Sequence, residues 1–257
     1  MTILKSDAEI EIMRQANQIV AEVFNQLRSM IRPGISTMEL DQAAEALILR
    51  RGAKPAFKGY SVGGDPFPAT LCVSINEEVV HGIPSKERFL ATGDIVSIDC
   101  GAVFNGFYGD CAKTFPVGVV SEIAASLLRV AEEALHRGIH QVKVGNRIGD
   151  VSSAIQSHCE AHGFSIVRDY VGHGVGRDLH EGPQIPNFGA PHTGVRLKKG
   201  MVLAIEPMVN VGSFDVEQLD DGWTVVTKDR QLSAHFEHSV AVTDGGPLIL
   251  SDWPACN

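Results

Sequence analysis

The chain carries one pattern of helix signals twice, and this repetition limits the folds that it can adopt. Ser6 and Ser36 each open a capping box ahead of an amphipathic run. Strand-like runs follow at roughly 70–81 and 94–115, and a second pair of helices is predicted from 121–143 onward. Glycines that end the helices recur at the same interval in both pairs, Gly34 with Gly52 and then Gly145 with Gly163.

The strands that follow the helix pairs also align. "TGDIVSID" and "KGMVLAIE" match so that Gly93 pairs with Gly200 and Asp99 pairs with Glu206. We therefore predict a duplicated α+β fold with pseudo-twofold symmetry, in which each half places one acid near the pseudo-axis. The predicted boundaries are 1–257 for one catalytic domain and about 5–115 and 120–250 for its pseudo-repeats.

An Asn-Gly dipeptide at 105–106 lies between two strand-like runs. It is the strongest short-range signal for a two-residue hairpin turn, because both turn positions need positive φ. This turn places Asp99 opposite Ala112 and Asp110 opposite Gly101. The two aspartates then lie on one face as diagonal neighbours, at most about 7–8 Å apart. Because like charges this close repel, the hairpin needs a group that offsets the repulsion.

Two further acids lie in strand-like, mostly apolar sequence. Glu206 precedes Pro207, which cannot donate to a β-ladder and predicts a strand break, and Glu237 lies in the alternating run "SAHFEHSVAV". Unpaired buried carboxylates normally take up a proton, pair with a base or bind a metal. Lys113 points to the side of its strand opposite Asp110, so pairing with a base has little support. Backbone donors could satisfy any one of these acids, but the four together indicate bound cations.

Histidines near glycines supply further candidate ligands. In "YVGHGVGRDLHEGPQ", His173 lies between two glycines that let the backbone approach closely, and His180 follows seven residues later. His81 comes at a predicted strand end, before a Gly-Ile-Pro turn. Spacing alone does not show which of these three histidines is the best candidate for a metal ligand. A set of ligands that is rich in oxygen and contains one histidine suits hard or borderline divalent ions. Carboxylates can also bridge two metals about 3.5–4 Å apart. Such a pair would cancel the repulsion and activate water.

Composition narrows the classes of partner. The formal net charge is −9, so general attraction to nucleic acid or to anionic membranes is not expected. No apolar run approaches the roughly 18 residues of a membrane span, and the N-terminus lacks signal-peptide features. The five cysteines, at positions 72, 100, 111, 159 and 256, include no Cys-x-x-Cys pair. A reducing cytoplasm is therefore predicted, without a disulfide framework or structural zinc.

The ordered ligand set closely resembles that of the type I methionine aminopeptidases. The residues that carry the resemblance are Asp99, Asp110, His173, Glu206 and Glu237, together with "HGIP" at 81–84 and "GHGVGRDLHEGP" at 172–183. The resemblance covers nearly the whole chain and favours a bacterial or organellar form. It implies the pita-bread (creatinase/aminopeptidase) fold, an antiparallel sheet with flanking helices. It also implies removal of the initiator methionine from nascent polypeptides whose second residue is small, with two divalent metal ions (Co, Mn, Fe or Zn).

By this resemblance each ligand would have a defined role. Asp99 would chelate one metal, and Asp110 and Glu237 would bridge both. His173 and Glu206 would complete the ligands of the second metal. Glu206 would also act as general base toward the bridging water.

The resemblance also implies catalytic and substrate-binding residues. His180 would hydrogen-bond the scissile peptide and help to stabilise the tetrahedral intermediate, and His81 would bind substrate near the scissile nitrogen. The candidates for an apolar pocket that takes the methionine side chain are Cys72, Phe67 and Trp223. Ordinary core packing is the alternative for those three. Leu179 stands where the family is expected to have an aromatic residue.

Three other functions are compatible with parts of this sequence. A proline-specific relative of the same fold, such as aminopeptidase P or prolidase, would share the metal ligands. A non-catalytic pita-bread protein would bind a partner instead, but such proteins lose ligands that are all present here. A mononuclear iron oxygenase would leave at least two acids unused. The expected partners are nascent polypeptide N-termini, with the ribosome as a further candidate. No DNA or membrane partner is expected, and a monomer is predicted.

Overall fold

Four α-helices lie in the part of the chain that the computed structural model describes, residues 2–61 and 63–252. They are α1 (Asp7–Met30), α2 (Thr37–Arg50), α3 (Glu122–His140) and α4 (Ile148–Ala161). Both predicted capping boxes are present at the starts of α1 and α2. The third helix ends earlier than predicted, because the Gln141 N–H bonds back three residues to the Gly138 carbonyl at 2.9 Å, which closes a tighter final turn.

Fifteen β-strands lie in the same described residues. In chain order they are β1 (Lys54–Pro55), β2 (Leu71–Ile75), β3 (Glu78–Val80), β4 (Ile95–Phe104), β5 (Phe107–Pro116), β6 (Ser165–Ile166), β7 (Gly172–Gly174), β8 (Glu181–Ile185), β9 (Val202–Ile205), β10 (Met208–Asn210), β11 (Val216–Gln218), β12 (Val225–Thr227), β13 (Ser233–His235), β14 (His238–Thr243) and β15 (Gly246–Ile249).

The strands form antiparallel sheets. A four-stranded sheet has the order β1-β4-β2 with β5 also paired to β4, and a five-stranded sheet has the order β15-β14-β9-β7-β8. The remaining strands form two three-stranded sheets, with the orders β13-β10-β6 and β11-β12-β3. The two strands of the β4–β5 hairpin are the longest, with 10 residues each.

The register of this hairpin is the one that the Asn-Gly turn predicts. Asn105 and Gly106 have φ of 49° and 78°, the left-handed region that the turn requires. Asp99 pairs with Ala112, and Gly101 pairs with Asp110. The two aspartates consequently share one face of the hairpin.

Each helix pair packs on a core of its own. The core under α1 and α2 includes Phe24, Leu40 and Ile98, all fully buried. The core under α3 and α4 includes Leu127 and Leu203, which are also fully buried. Burying this apolar surface stabilises each half at about 25 cal/mol per Å² removed from water.

The glycines that align between the halves have matching backbone conformations. All six have positive φ: 85° and 97° for Gly34 and Gly145, 72° and 81° for Gly52 and Gly163, and 99° and 86° for Gly93 and Gly200. Positive φ favours glycine because other residues are strained there. The predicted duplication would produce such matching chain reversals at equivalent positions of the two halves.

Two expectations from composition concern the helices and the cysteines. Within the described residues, no helix is long and apolar enough to cross a bilayer. Cys72, Cys100, Cys111 and Cys159 are free thiols in buried positions. Cys256 lies outside the described residues.

The N-terminal segment ties the first helix to the second half. The Lys5 N–H donates to the Gly200 carbonyl at 2.7 Å, and Thr2 forms a parallel bridge with Gly182. The Lys5 ammonium forms an ion pair with Glu181, and both side chains are only 3% exposed. Glu181 also accepts the Arg177 N–H at 2.9 Å. This buried pair therefore anchors the loop that carries residues 177–181.

We expect Lys5→Met to destabilise the fold by about 3–5 kcal/mol, because it leaves the Glu181 carboxylate buried without its cation. Urea unfolding monitored by circular dichroism measures the change. Restoring part of the loss with Lys5→Met/Glu181→Gln would show that the unpaired charge is the cause. The exposed pair Arg230–Glu217 supplies the control, since Arg230→Met is expected to cost at most about 1 kcal/mol. Equal losses from both single variants would contradict the prediction.

Candidate active site

Five candidate metal ligands from five separate segments meet in one place. Asp99 lies on β4, Asp110 on β5 and His173 on β7, whereas Glu206 lies between β9 and β10 and Glu237 between β13 and β14. Ligand atoms of Asp110, His173 and Glu237 all lie within 4.8 Å of one another. The Glu206 Oε1 atom is 3.4 Å from His173 Nε2. The fold thus gathers residues that are up to 138 positions apart in the sequence.

Several carboxylate oxygens of this cluster are buried without a partner. Asp99 Oδ1, Asp110 Oδ1 and Glu237 Oε1 have no hydrogen-bond partner among the described residues. A buried oxygen without a donor costs about 1–3 kcal/mol, and more when it is charged. Because these oxygens lie beside a neutral imidazole, the cluster fits divalent cations, for which carboxylate and imidazole are the usual ligands.

The acids have raised pKa values in the protein without metal. Burial raises the pKa of Asp99 to about 7 and that of Glu206 to about 8. Burial, reinforced by the neighbouring carboxylates, raises the pKa of Asp110 and of Glu237 well above the usual range. Protons therefore take the place of cations in the metal-free cluster, and bound metal would release them.

Two glycines and a hydrogen bond hold His173 in position. A Cβ added to Gly172 would lie 2.4 Å from the Ala204 carbonyl oxygen, and one added to Gly174 would lie 2.5 Å from the Gly182 carbonyl oxygen. The His173 Nδ1–H donates to the Gly174 carbonyl at 2.9 Å, which leaves the lone pair on Nε2 facing the acids. Burial lowers the pKa of His173 to about 3, so the ring is neutral as a metal ligand requires.

Glu206 occupies the predicted strand break. Strand β9 ends at Ile205 and β10 begins at Met208, so Pro207 lies in neither strand. The Asn187 side chain donates to the Glu206 carbonyl at 2.9 Å and fixes the backbone there. The carboxylate is thereby directed toward His173.

His235 is a member of the cluster that the sequence analysis missed. It is only 2% exposed, its Nε2 has no hydrogen-bond partner among the described residues, and this atom lies 3.6 Å from Glu206 Oε2. Thr114 holds the backbone of His235 from both sides, accepting its N–H at 2.9 Å and donating to its carbonyl at 2.8 Å. Alternation in "SAHFEHS" places His235 on the strand face of Glu237, and this signal could have identified it.

An apolar cavity of about 160 Å³ opens onto the five ligand candidates. Its apolar wall includes Phe57, Tyr60, Phe67, Cys72, Leu179 and Trp223. The Phe67 and Trp223 rings pack edge to face at 5.2 Å, and the Trp223 Nε1–H donates to the Asp65 carbonyl at 3.1 Å. The three residues predicted for a substrate pocket therefore share one wall, and Leu179 lies beside them.

His180 lines this cavity beside the candidate ligand His173. Its ring is 4.3 Å from the His173 ring, and its Nδ1 is hydrogen-bonded to the Tyr60 hydroxyl at 2.5 Å. When Tyr60 donates this bond, the proton of the neutral ring is on Nε2. Burial lowers the pKa of His180, which favours the neutral form. Tyr60 was not among the predicted site residues, because only the folded chain brings it next to His180.

His81 borders the same cavity and directly follows the end of β3. Its backbone has φ of 61°, an uncommon conformation for a residue other than glycine. The ring contacts Tyr170 and Trp223 at centroid distances of 5.7 and 6.1 Å. Burial lowers its pKa to about 4, so His81 is a neutral donor or acceptor at physiological pH.

A larger cavity of about 700 Å³ lies between β5 and α3. Its lining includes Lys113, Glu132, His136 and Phe236, and Glu237 is the only one of the five ligand candidates beside it. The Lys113 ammonium is bound to Glu132 at 2.8 Å on this side of the hairpin, away from Asp110. The smaller cavity borders all five ligand candidates and is therefore the candidate active site.

Comparison with known proteins assigns the family. Residues 11–244 match metallopeptidase family M24. Methionine aminopeptidase 1 of Bacillus subtilis is 54% identical over 251 residues, which cover 98% of this chain and 99% of the relative. The methionine aminopeptidase of Clostridium acetobutylicum is 52% identical with the same coverage.

The similarity extends to three dimensions. The crystal structure of methionine aminopeptidase from Thermotoga maritima matches with a TM-score of 0.95 and 49% identity, covering 98% of this chain and 100% of that one. The predicted α+β fold class, with antiparallel sheets and flanking helices in the pita-bread arrangement, is confirmed. This chain belongs to metallopeptidase family M24, as a bacterial type I member related over nearly its whole length to the methionine aminopeptidases.

Proposed function

We propose that this protein removes the N-terminal methionine from nascent polypeptides whose second residue is small, by metal-dependent hydrolysis. The observation that carries the proposal is an apolar cavity the size of one side chain beside a cluster of buried acids whose oxygens lack partners. Its relatives of about 50% identity bear the name methionine aminopeptidase. Both the family and the local chemistry therefore support the same reaction.

Two divalent ions would be held by the five ligand candidates. Asp99 would hold one ion, Asp110 and Glu237 would bridge both, and His173 with Glu206 would complete the second. When bound, the ions would supply Lewis-acid polarisation of the scissile carbonyl and a water of lowered pKa. The neutral His173 ring and the partnerless carboxylate oxygens are the features that support these assignments.

Glu206 would act as the general base. Burial raises the pKa of this carboxylate to about 8 in the metal-free protein, so its surroundings favour the protonated form more than water does. His235 would position it, since His235 Nε2 lies 3.6 Å from Glu206 Oε2 and has no hydrogen-bond partner among the described residues. The proton taken from the attacking water would rest on Glu206 before it reaches the leaving amine.

His180 and His81 would contact the scissile peptide. With Nδ1 bound to Tyr60, His180 can donate Nε2–H to the peptide oxygen as negative charge develops there. His81, neutral and held between Tyr170 and Trp223, would bind near the scissile nitrogen. The two histidines would then orient opposite ends of the same bond.

The cavity would select the first residue of the substrate. An engineered apolar cavity of about 150 Å³ holds one benzene molecule, so a volume of about 160 Å³ suits a single side chain. An unbranched, polarisable thioether can pack against the Cys72, Phe67 and Trp223 wall. Because the cavity borders the ligand candidates directly, a residue whose side chain fills it would place its free amino group near the bound ions.

We further propose a single catalytic domain over 1–257, built from duplicated halves of about 5–115 and 120–250. Matching positive φ at the aligned glycines supports the duplication. We also propose that the protein works as a monomer in the cytoplasm, on chains that emerge from the ribosome. The buried free cysteines, among the described residues, support a reducing compartment.

We expect metal-stripped protein to release the first methionine from Met-Gly-Met-Met only after Mn²⁺ or Co²⁺ is added. Peptides with proline or a bulky residue second, and peptides without methionine first, report on selectivity. Mass spectrometry of the products measures the cleavage. Metal binding without cleavage of any peptide would favour a non-catalytic binding protein. Preferential cleavage before proline would favour the proline-specific relatives.

Substitution should separate ligands from residues that contact only substrate. Glu206→Gln is expected to lower kcat by about 10²–10⁴ and to reduce metal content, because it removes both a base and a ligand. His180→Ala is expected to lower kcat by about 10²–10³ with metal content unchanged. Steady-state kinetics and elemental analysis of each variant provide the two readouts, with the exposed His192→Ala as control. Loss of metal from His180→Ala would assign His180 to the ligands instead.

The stability gained from metal should increase with pH. The acids have folded-state pKa values above the usual value of about 4, up to about 8 for Glu206, so the metal-free fold binds more protons than the unfolded chain. The contribution of these acids to the stability of the metal-free fold is therefore full below about pH 4 and falls as pH rises toward 8. Thermal midpoints of Mn²⁺-loaded and EDTA-treated protein should differ more at pH 8 than at pH 6. A difference that shrinks with rising pH would contradict the ligand assignment.

A further inference from the structure

A second group of metal-binding side chains lies outside the active site, where α3 packs on α4. It consists of Glu133 on α3, His158 on α4, and His162 at the C-terminal cap of α4. One ligand atom from each lies within 4.8 Å of the other two. The helices approach closely here because Gly138 of α3 has no side chain, and a Cβ at that position would lie 2.8 Å from the Ile155 side chain. The helix packing itself therefore brings the three residues together.

The two histidines are arranged as a chelating pair. They are four residues apart, so they lie on the same side of the helix end, and their ring centroids are 4.5 Å apart. The His162 Nδ1–H donates to the His158 carbonyl at 2.8 Å, which leaves the Nε2 lone pair of a neutral ring free for a metal. Histidine ligands usually bind metal in this way, with the other ring nitrogen bonded to a carbonyl or carboxylate.

Glu133 supplies an ionised carboxylate. A hydrogen bond from Arg129 to Oε1 at 3.1 Å lowers its pKa, and Oε2 is bonded to His158 Nε2 at 2.9 Å. Burial, together with the charge of Arg137, lowers the pKa of His158 and keeps its ring neutral at physiological pH. Glu133 is thus ionised and His158 is neutral, as metal binding requires. Only the proton on His158 Nε2 has to move.

We propose that Glu133, His158 and His162 form a site for one divalent transition ion, of the class of Zn²⁺, Co²⁺ or Ni²⁺, separate from the catalytic metals. Two imidazoles and one carboxylate are a common ligand set for such ions, with solvent at the fourth position. In a tetrahedral site with metal–ligand bonds near 2.0–2.1 Å, neighbouring ligand atoms are about 3.3 Å apart. The 2.9 Å His158–Glu133 contact must lengthen slightly, and the exposed His162 ring must move inward.

The proton balance of this step is simple. In the metal-free protein, the His158 Nε2–H donates to Glu133 Oε2. The ion takes the place of that proton between the two atoms, and the neutral His158 ring then carries its proton on Nδ1. His162 already carries its proton on Nδ1 and needs no change. No oxidant or other reactant is needed.

The site would join the two helices of the second half of the chain. His158 is 8% exposed and Glu133 is held by Arg129, so both ligands are largely ordered before metal arrives. Arg129 and Arg137 place positive charge nearby, which weakens binding of any cation. The site should therefore fill at higher metal concentration than the active site, whose four acids attract cations more strongly.

Zinc binding to the whole protein tests the proposal. Equilibrium dialysis of metal-stripped protein against micromolar Zn²⁺, followed by elemental analysis, gives the number of ions per chain. Wild type should bind one zinc more than His162→Ala, and Glu133→Gln should weaken the same binding step at least tenfold. Both variants should keep wild-type peptide hydrolysis with Mn²⁺, because neither residue borders the catalytic cavity.

His192→Ala is the matched control, since it removes an exposed histidine whose partner Asp150 is about 12 Å along α4 from His158. It should bind as many zinc ions as wild type. Zinc should also raise the thermal midpoint of wild type more than that of His162→Ala. Equal zinc content and equal midpoint shifts in wild type and His162→Ala would overturn the proposal. Loss of one zinc from His192→Ala as well would overturn it too, because it would indicate unspecific binding to surface histidines.

Discussion

The repulsion among buried carboxylates is the constraint on which the rest of this structure depends. Asp99, Asp110, Glu206 and Glu237 lie together where they are largely shielded from water, and three of their oxygens have no hydrogen-bond partner among the described residues. Without a cation, such a cluster survives only by holding protons, and the raised pKa values reflect this. A scaffold that keeps the acids together against this repulsion must be rigid, and its stability must come from elsewhere.

The β4–β5 hairpin supplies that rigidity. Its own register aligns Asp99 and Asp110, and β5 is also hydrogen-bonded to the segment between β13 and β14 that carries Glu237. The Glu237 N–H donates to the Ala112 carbonyl at 2.8 Å, and the Ser239 hydroxyl donates to the Asp110 carbonyl at 2.9 Å. These bonds join the two halves at the level of the acids. The cores beneath the helix pairs then fix the hairpin from both sides.

The candidate active site and the proposed second metal site differ in their ligands and in their surroundings. The candidate active site is rich in carboxylate and lies beside an apolar cavity, so ions bound there would be close to a substrate side chain that the cavity keeps away from water. The proposed site at Glu133, His158 and His162 is richer in imidazole, lies at the surface and borders no substrate cavity. It joins two helices, and this geometry suits stabilisation or metal storage better than hydrolysis.

Local interactions along the sequence determined the helix starts, the hairpin register and the strand break at Glu206, because capping, turn conformation and the missing proline N–H act over a few residues. The resemblance to a known family predicted the candidate ligands as a set. Tertiary structure alone decided which distant groups touch: His235 with Glu206, Tyr60 with His180, and Glu133 with His158. These contacts depend on how sheets and helices pack, which no short stretch of sequence encodes.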